Sequence, residues 1–183
     1  MPTDRELTDG TVGPYAAGLR LGSWTEADLP ALVEAYRDPV LRRFSSARVR
    51  SAADARRWLA RQREGWADGT RLGFAVREEL PDGGPGRVLG HVVLRRVTPE
   101  ADIGEVGYWT AGWARGRGVA SRALDGLSRW GFDALGLRRL DLIHQVDNPA
   151  SCRVAGKAGY DLVRVLPPEP PYPLDGHLHS RPA

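Results

Sequence analysis

The chain has 183 residues, with 26 Lys or Arg against 23 Asp or Glu, a formal net charge of +3 and a single cysteine, Cys152. That length suits one domain that buries roughly two-thirds of its unfolded surface, and one cysteine excludes an intrachain disulfide. With no signal-like segment and no run of about eighteen apolar residues, a cytoplasmic protein is expected. Its spread, acid-balanced arginines do not describe a nucleic-acid surface.

Residues 1–18 mix Thr, Asp, Gly and Pro without an apolar period and read as a flexible arm. Leu19, Arg20 and Leu21 alternate as a short strand. Thr25 with Asp28 three residues on marks a helix start, Trp24 is placed as a staple on Leu29, and Leu29, Leu32, Val33 and Tyr36 form the buried stripe. A second start of the same type lies at Ser51 and Asp54, with Ala55, Trp58, Leu59 and Gln62 on one face and an end near Gly69.

Leu72, Phe74 and Val76 alternate as a strand, residues 81–86 are a Pro- and Gly-rich turn, and further strands are expected over about 87–97 and 103–110, with Thr98 and Pro99 between them. Strands joined by turns without helices imply an antiparallel meander. A helix follows from Val119, with Ala120, Ala123, Leu124, Leu127 and Leu135 at helical spacing and Gly136 as its left-handed cap. Residues 138–145 read as the next strand, parallel to the one before the helix because a crossover joins them. Asn148 or Asp147 caps a short helix with Pro149 in its first turn, Gly159 closes it, and 160–166 is the last clear strand. Residues 167–173 read as a stiff, extended Pro-rich linker. His177 and His179 are set aside as metal ligands, and no metal is expected.

Residues 108–121, running from a strand through a Gly-rich loop into a helix, read as a phosphate cradle. Gly116 and Gly118 lack the Cβ that would hold a backbone off an anion, the helix N-terminus offers unpaired N–H groups, and Arg115 and Arg117 add positive charge. Neither a P-loop ending nor Gly-x-Gly-x-x-Gly after a first strand is present.

Arg115, Gly116, Arg117, Gly118, Val119 and Ala120 match the Arg/Gln-x-x-Gly-x-Gly/Ala signature of the GNAT acyltransferases. About thirty residues on, Asn148, Ser151, Lys157, Gly159 and Tyr160 resemble the Asn-x-x-Ser and Lys-x-Gly-Phe segment of the same superfamily, and Glu105, Val106, Gly107, Tyr108 and Trp109 resemble the corresponding strand of its RimJ/RimL branch. The resemblance covers roughly residues 19–165. It implies an α+β GNAT fold over 19–166: a mixed, mostly antiparallel sheet of six to seven strands, helices on both faces, and a splayed parallel pair at the cofactor site. Residues 167–183 would be a Pro-rich C-terminal segment, with Asp175 to His179 as a reduced final strand.

The resemblance further implies N-acetyl transfer from acetyl-CoA to a primary amine, in a protein N-terminus or a small molecule, by direct attack in a ternary complex. Tyr108, Trp109 and Thr110 would pair with pantetheine and thioester through their main chain. Arg115, Gly116, Arg117, Gly118, Val119 and Ala120 would hold the pyrophosphate, and Asn148 the pantetheine arm or merely the helix cap. Glu105 is the candidate base, directly or through a water, or else a partner for an arginine; His144 is the second candidate. Ser151 would protonate the thiolate or order the sulfur, because Ala155 stands where many GNAT enzymes have a tyrosine. Tyr36, Phe44, Trp58 and Trp66 are candidate acceptor walls or, as helix-spaced aromatics, core residues; Tyr160 packs, and Cys152 is a small buried hydrophobe. The branch implies a homodimer. A silent acyl-CoA-binding regulator, a transferase of succinyl or another acyl group, and an arginine-rich nucleic-acid binder are the alternatives.

Overall fold

The computed structural model describes residues 14–82, 84–96, 102–170 and 172–183. Residues 1–13 of the expected arm, Gly83 of the first turn and the Thr98–Pro99 connection therefore lie outside the described residues.

Strands β2 (Arg71–Glu79), β3 (Pro85–Arg96) and β4 (Ile103–Thr110) pair as the expected antiparallel meander, and β1 (Leu19–Gly22) adds to its edge antiparallel to β2. β5 (Arg139–Gln145) runs parallel to β4, while β7 (Gly176–Pro182) lies antiparallel between β5 and β6 (Asp161–Leu166). The result is one seven-stranded sheet in the order β1-β2-β3-β4-β5-β7-β6. The described residues contain five α-helices: α1 (Leu29–Ala35), α2 (Pro39–Phe44), α3 (Ala52–Asp68), α4 (Val119–Leu135) and α5 (Pro149–Lys157).

Each helix start has its own local cause. Thr25 N and Oγ1 both donate to Asp28 Oδ2, at 2.8 and 2.9 Å, opening a 3-10 turn that runs into α1. Asp28 also receives Arg77 Nη2 at 2.6 Å, a buried ion pair that fastens this turn to β2. Ser51 Oγ accepts from Asp54 N at 3.2 Å ahead of α3, and Gly69 ends it at φ 72°. Gly136 ends α4 at φ 66°. The sheet has a core on each face. Leu94, Leu124, Leu127 and Leu140 lie under α4 and α5, and Leu32, Tyr36, Trp58 and Leu59 under α1 to α3. Full burial of each such side chain is worth about 1.5–3 kcal/mol.

Four expectations need correction. Residues 14–18 are not part of an arm: Ala16 is buried, Leu19 N donates to Ala16 O at 2.9 Å, and the Tyr15 carbonyl approaches α4 so closely that a Cβ on Gly126 would lie 2.2 Å from it. The α2 helix was not foreseen; Asp38 caps it by accepting from Val40 N at 2.9 Å, with Pro39 in its first turn. The described residues of 167–173 do not form the extended linker expected, because Tyr172 N donates to Glu169 O at 2.8 Å and closes a turn. That turn sends the chain back, so β7 is a full interior strand and not a reduced one.

Candidate active site

Parallel pairing of β4 and β5 spans only Ile103↔Arg139 to Val106↔Leu142. Beyond it β4 stays on β3 as far as Gly90↔Thr110, and β5 stays on β7 as far as Gln145↔Gly176. Residues 107–110 and 143–145 are thus parted, the splay that the resemblance implies. Gly90 shows one physical cause: a Cβ there would sit 2.4 Å from the Trp109 carbonyl, so its absence lets β3 draw the end of β4 away. A cavity of about 900 Å³ follows the gap, lined by Tyr36, Trp58, Tyr108, Ser151, Gly116 and Ala120 among others.

The cradle turns at two glycines, Gly116 at φ 76° and Gly118 at φ 69°. A Cβ on Gly116 would meet nothing within 4 Å, and one on Gly118 only Ser121 Oγ at 3.9 Å, so their conformation and the space above them, not crowding, call for glycine. Val119 is buried and anchors α4, whose first N–H groups have no intrahelical partner. Open space, left-handed glycines and a seventeen-residue helix N-terminus fit a diphosphate. The two arginines are not free charges: Arg115 pairs with Asp38, and Arg117 with Glu78 at 2.6 Å.

Across the gap, Tyr108 Oη and Ser151 Oγ are 2.8 Å apart. Burial, opposed by that hydrogen bond, pushes the Tyr108 phenol up to about 12, so it stays protonated. The phenol proton can go to Ser151 Oγ, leaving the serine its own O–H to donate, while the Ser151 backbone N–H goes to Asn148 Oδ1 at 3.2 Å. Asn148 does cap α5; its amide nitrogen is what remains to turn toward the cavity. Trp109 and Thr110 end β4, but the Trp109 indole is buried in the α1–α3 core and its carbonyl faces Gly90 on β3, so Tyr108 and Thr110, not Trp109, leave main-chain groups to the gap.

Glu105 lies directly opposite Arg95 in the β3–β4 register and is ion-paired with it. Both line the cavity, as do Arg71 and His91. Arg71 donates from Nε to Gln62 Oε1 at 3.2 Å, and burial pulls its guanidinium down to about 10. His91 accepts from Trp24 Nε1 at 3.0 Å and is pushed down to about 3, chiefly by burial and further by Arg71. Tyr36, Phe44 and Trp58 stand in the wall, whereas Trp66 packs on Phe74 and donates to Gly73 O at 3.1 Å. Sequence reasoning missed Asp38, Arg71, His91 and Arg95. Only Asp38, as Asp-Pro, carried a local signal.

His144 lies on the face of the sheet that α5 covers, opposite to Glu105. Its Nδ1 is 2.8 Å from Gln145 O, and its pKa is lowered by burial, with His179 and His177 adding to the effect. Cys152 is half-buried against His144 and His177, so it is not the isolated apolar filler expected. Tyr160 packs as expected, with its hydroxyl 2.6 Å from Ser128 Oγ. No helix among the described residues is long and apolar enough to cross a membrane.

Residues 19–161 match the family model described as acetyltransferase (GNAT) domain. The ribosomal-protein-serine acetyltransferase of Escherichia coli (strain K12) is 33% identical over 75 residues, 41% of this chain and 42% of that protein, so the match spans about two-fifths of the relative's length. RimL, the ribosomal L7/L12 α-N-protein acetyltransferase in complex with coenzyme A, superposes with a TM-score of 0.80 at 18% identity, covering 93% of this chain and 97% of that one. Mycobacterium smegmatis RimJ in complex with CoA-disulfide gives 0.77 at 18%, covering 90% and 82%. The microcin C7 self-immunity acetyltransferase MccE, in complex with acetyl-CoA and AMP, gives 0.79 at 16%, covering 94% and 95%.

Proposed function

The chain belongs to the acetyltransferase (GNAT) domain family, and from that premise we propose that it transfers an acetyl group from acetyl-CoA to a primary amine, with an α-amine of a protein or peptide N-terminus as the preferred acceptor. The observation that carries the reading is the parted β4–β5 pair opening beside the glycine cradle into one cavity. Acetyl-CoA supplies the activated thioester. The protein supplies position, hydrogen-bond donors and exclusion of water.

Gly116, Gly118 and the first N–H groups of α4 receive the diphosphate, with Arg115 and Arg117 reaching it only by leaving Asp38 and Glu78. Alternate N–H groups of residues 107–110 point away from β3 into the gap. There they hold pantetheine and the carbonyl oxygen that gains charge as the amine attacks. Ser151, backed by Tyr108, donates a hydrogen bond to the departing sulfur.

Amine choice follows from Glu105. Its carboxylate is already held by Arg95, so it serves to accept a hydrogen bond from the incoming nitrogen, or from a water that removes the proton, more than to deprotonate an ammonium. At pH 7 an α-amine of pKa ~7.7–8.0 is about a tenth or more neutral, against roughly one part in a few thousand for a lysine-type amine at ~10.4. A site with an engaged carboxylate therefore works best on the α-amine.

The test is release of free thiol from acetyl-CoA against a panel of peptide N-termini, a polyamine, an amino sugar and free amino acids. Turnover highest on peptide α-amines supports the proposal. Stabilisation by acetyl-CoA without turnover on any amine would instead indicate a regulator.

A further inference from the structure

Three of the chain's four histidines and its one cysteine meet between the sheet and α5. His144 on β5 stands opposite His177 on β7, and His179 lies two residues further along on the same face. Cys152 reaches them from α5. One ligand atom from each of the four lies within 4.8 Å of all the others.

Three of the six separations already match the edges of a small coordination polyhedron. Cys152 Sγ is 3.5 Å from His144 Nε2 and 3.3 Å from His177 Nδ1, and His144 Nε2 is 3.2 Å from His179 Nε2. A tetrahedron built on Zn–N bonds of about 2.05 Å and a Zn–S bond of about 2.3 Å has N–N edges of about 3.3 Å and N–S edges of about 3.6 Å. The tautomer also fits. His144 Nδ1 faces a carbonyl that can only accept, which places its proton there and leaves the Nε2 lone pair turned to the cluster. Sending the other ring N–H to a main-chain carbonyl is how metal-bound histidines are commonly oriented.

We propose that His144, Cys152, His177 and His179 bind one zinc ion in a closed tetrahedral site that pins α5 to β5 and β7. Imidazole and thiolate donors without a carboxylate select zinc over magnesium or calcium, and copper(II) favours a tetragonal set. Four protein ligands leave no open position, so the ion is structural and has no water to activate. Its effect on the neighbouring site is mechanical: Cys152 directly follows Ser151, so fixing the cysteine fixes the height of the serine against Tyr108.

The experiment uses the full chain, free of any histidine tag, incubated with zinc and dialysed, with metal content read by plasma emission spectrometry. One zinc per chain is expected. Cobalt(II) in its place should give the intense visible bands of a tetrahedral ion and a thiolate charge-transfer band in the near ultraviolet. Cys152→Ser should remove that charge-transfer band, and His177→Gln should lower the bound metal at least tenfold, both with unchanged far-ultraviolet circular dichroism. Zinc uptake far below one per chain, an octahedral cobalt spectrum, or uptake unaffected by both substitutions overturns the site. If either variant fails to fold, cobalt titration of the unmodified chain decides alone. These readouts are independent of acetyl transfer, so they stand or fall apart from the proposed function.

Discussion

Gly116 and Gly136 form a matched pair. Each has a left-handed backbone, φ 76° and 66°, and at each an added Cβ would meet nothing within 4 Å. Alanine at either position should therefore impose the same conformational penalty, about 1–2 kcal/mol. In a chain of this size that lowers the melting temperature by about 2–8 °C. Only at Gly116, however, does the new methyl enter the space assigned to the diphosphate. Loss of one hydrogen bond to a charged group costs about 1.5–3 kcal/mol, which raises the Kd for acetyl-CoA roughly 10- to 150-fold. Calorimetric titration with acetyl-CoA, beside thermal melts of both variants, separates the two terms. Gly116→Ala should lose stability and affinity together, and Gly136→Ala stability alone. Unchanged affinity in Gly116→Ala, or an equal loss in both, would refute the cradle.

Ser151→Ala and Tyr108→Phe should each lower kcat by roughly 10- to 150-fold, the worth of one hydrogen bond to a charged sulfur, with little change in acetyl-CoA binding. The double variant should be hardly slower than either single one, since the two hydroxyls act as a unit; additive losses would argue for separate roles. Acid stability should depend on His91, whose folded pKa of about 3 lies below its ordinary 6.5. Between those values the unfolded chain binds the proton that the buried ring refuses, so stability falls as pH falls through that window. Urea melts at successive pH values should show this slope flattened in His91→Gln, and an unaltered slope would assign acid sensitivity elsewhere.

What could be read along the chain was whatever is decided within a few residues. The caps at Thr25 and Ser51 and the left-handed glycines at 69 and 136 announced their helices because the hydrogen bonds or torsions that fix them are local. The same kind of signal stood at Asp38 and Pro39, yet α2 is only six residues long and has no apolar period to draw attention. The splay left no trace in residue types because it consists of main-chain pairs that are not made; resemblance alone implied it. Arg95 beside Glu105, and His144 beside His177, are cross-strand neighbours whose meeting depends on register. Placing the histidines needs one fact more, that β7 enters the sheet between β5 and β6.

That insertion governs the order in which the molecule can be assembled. Among the described strands β6 has no sheet neighbour except β7, and β5 touches β4 along four register pairs but β7 along seven. Until residues 176–182 are in place, the platform beneath α5 is two detached ribbons, and the helix bearing Ser151 has little to settle on. β6 and β7 pair as a local hairpin, but the β5–β7 pairs, from Gln145↔Gly176 to Arg139↔Pro182, span longer stretches of chain and are the slower of the two to form. The meander and α4 can condense from contacts made earlier in the chain, so the cradle half of the cavity matures first and the half opposite it waits for the strand synthesised last in the sheet.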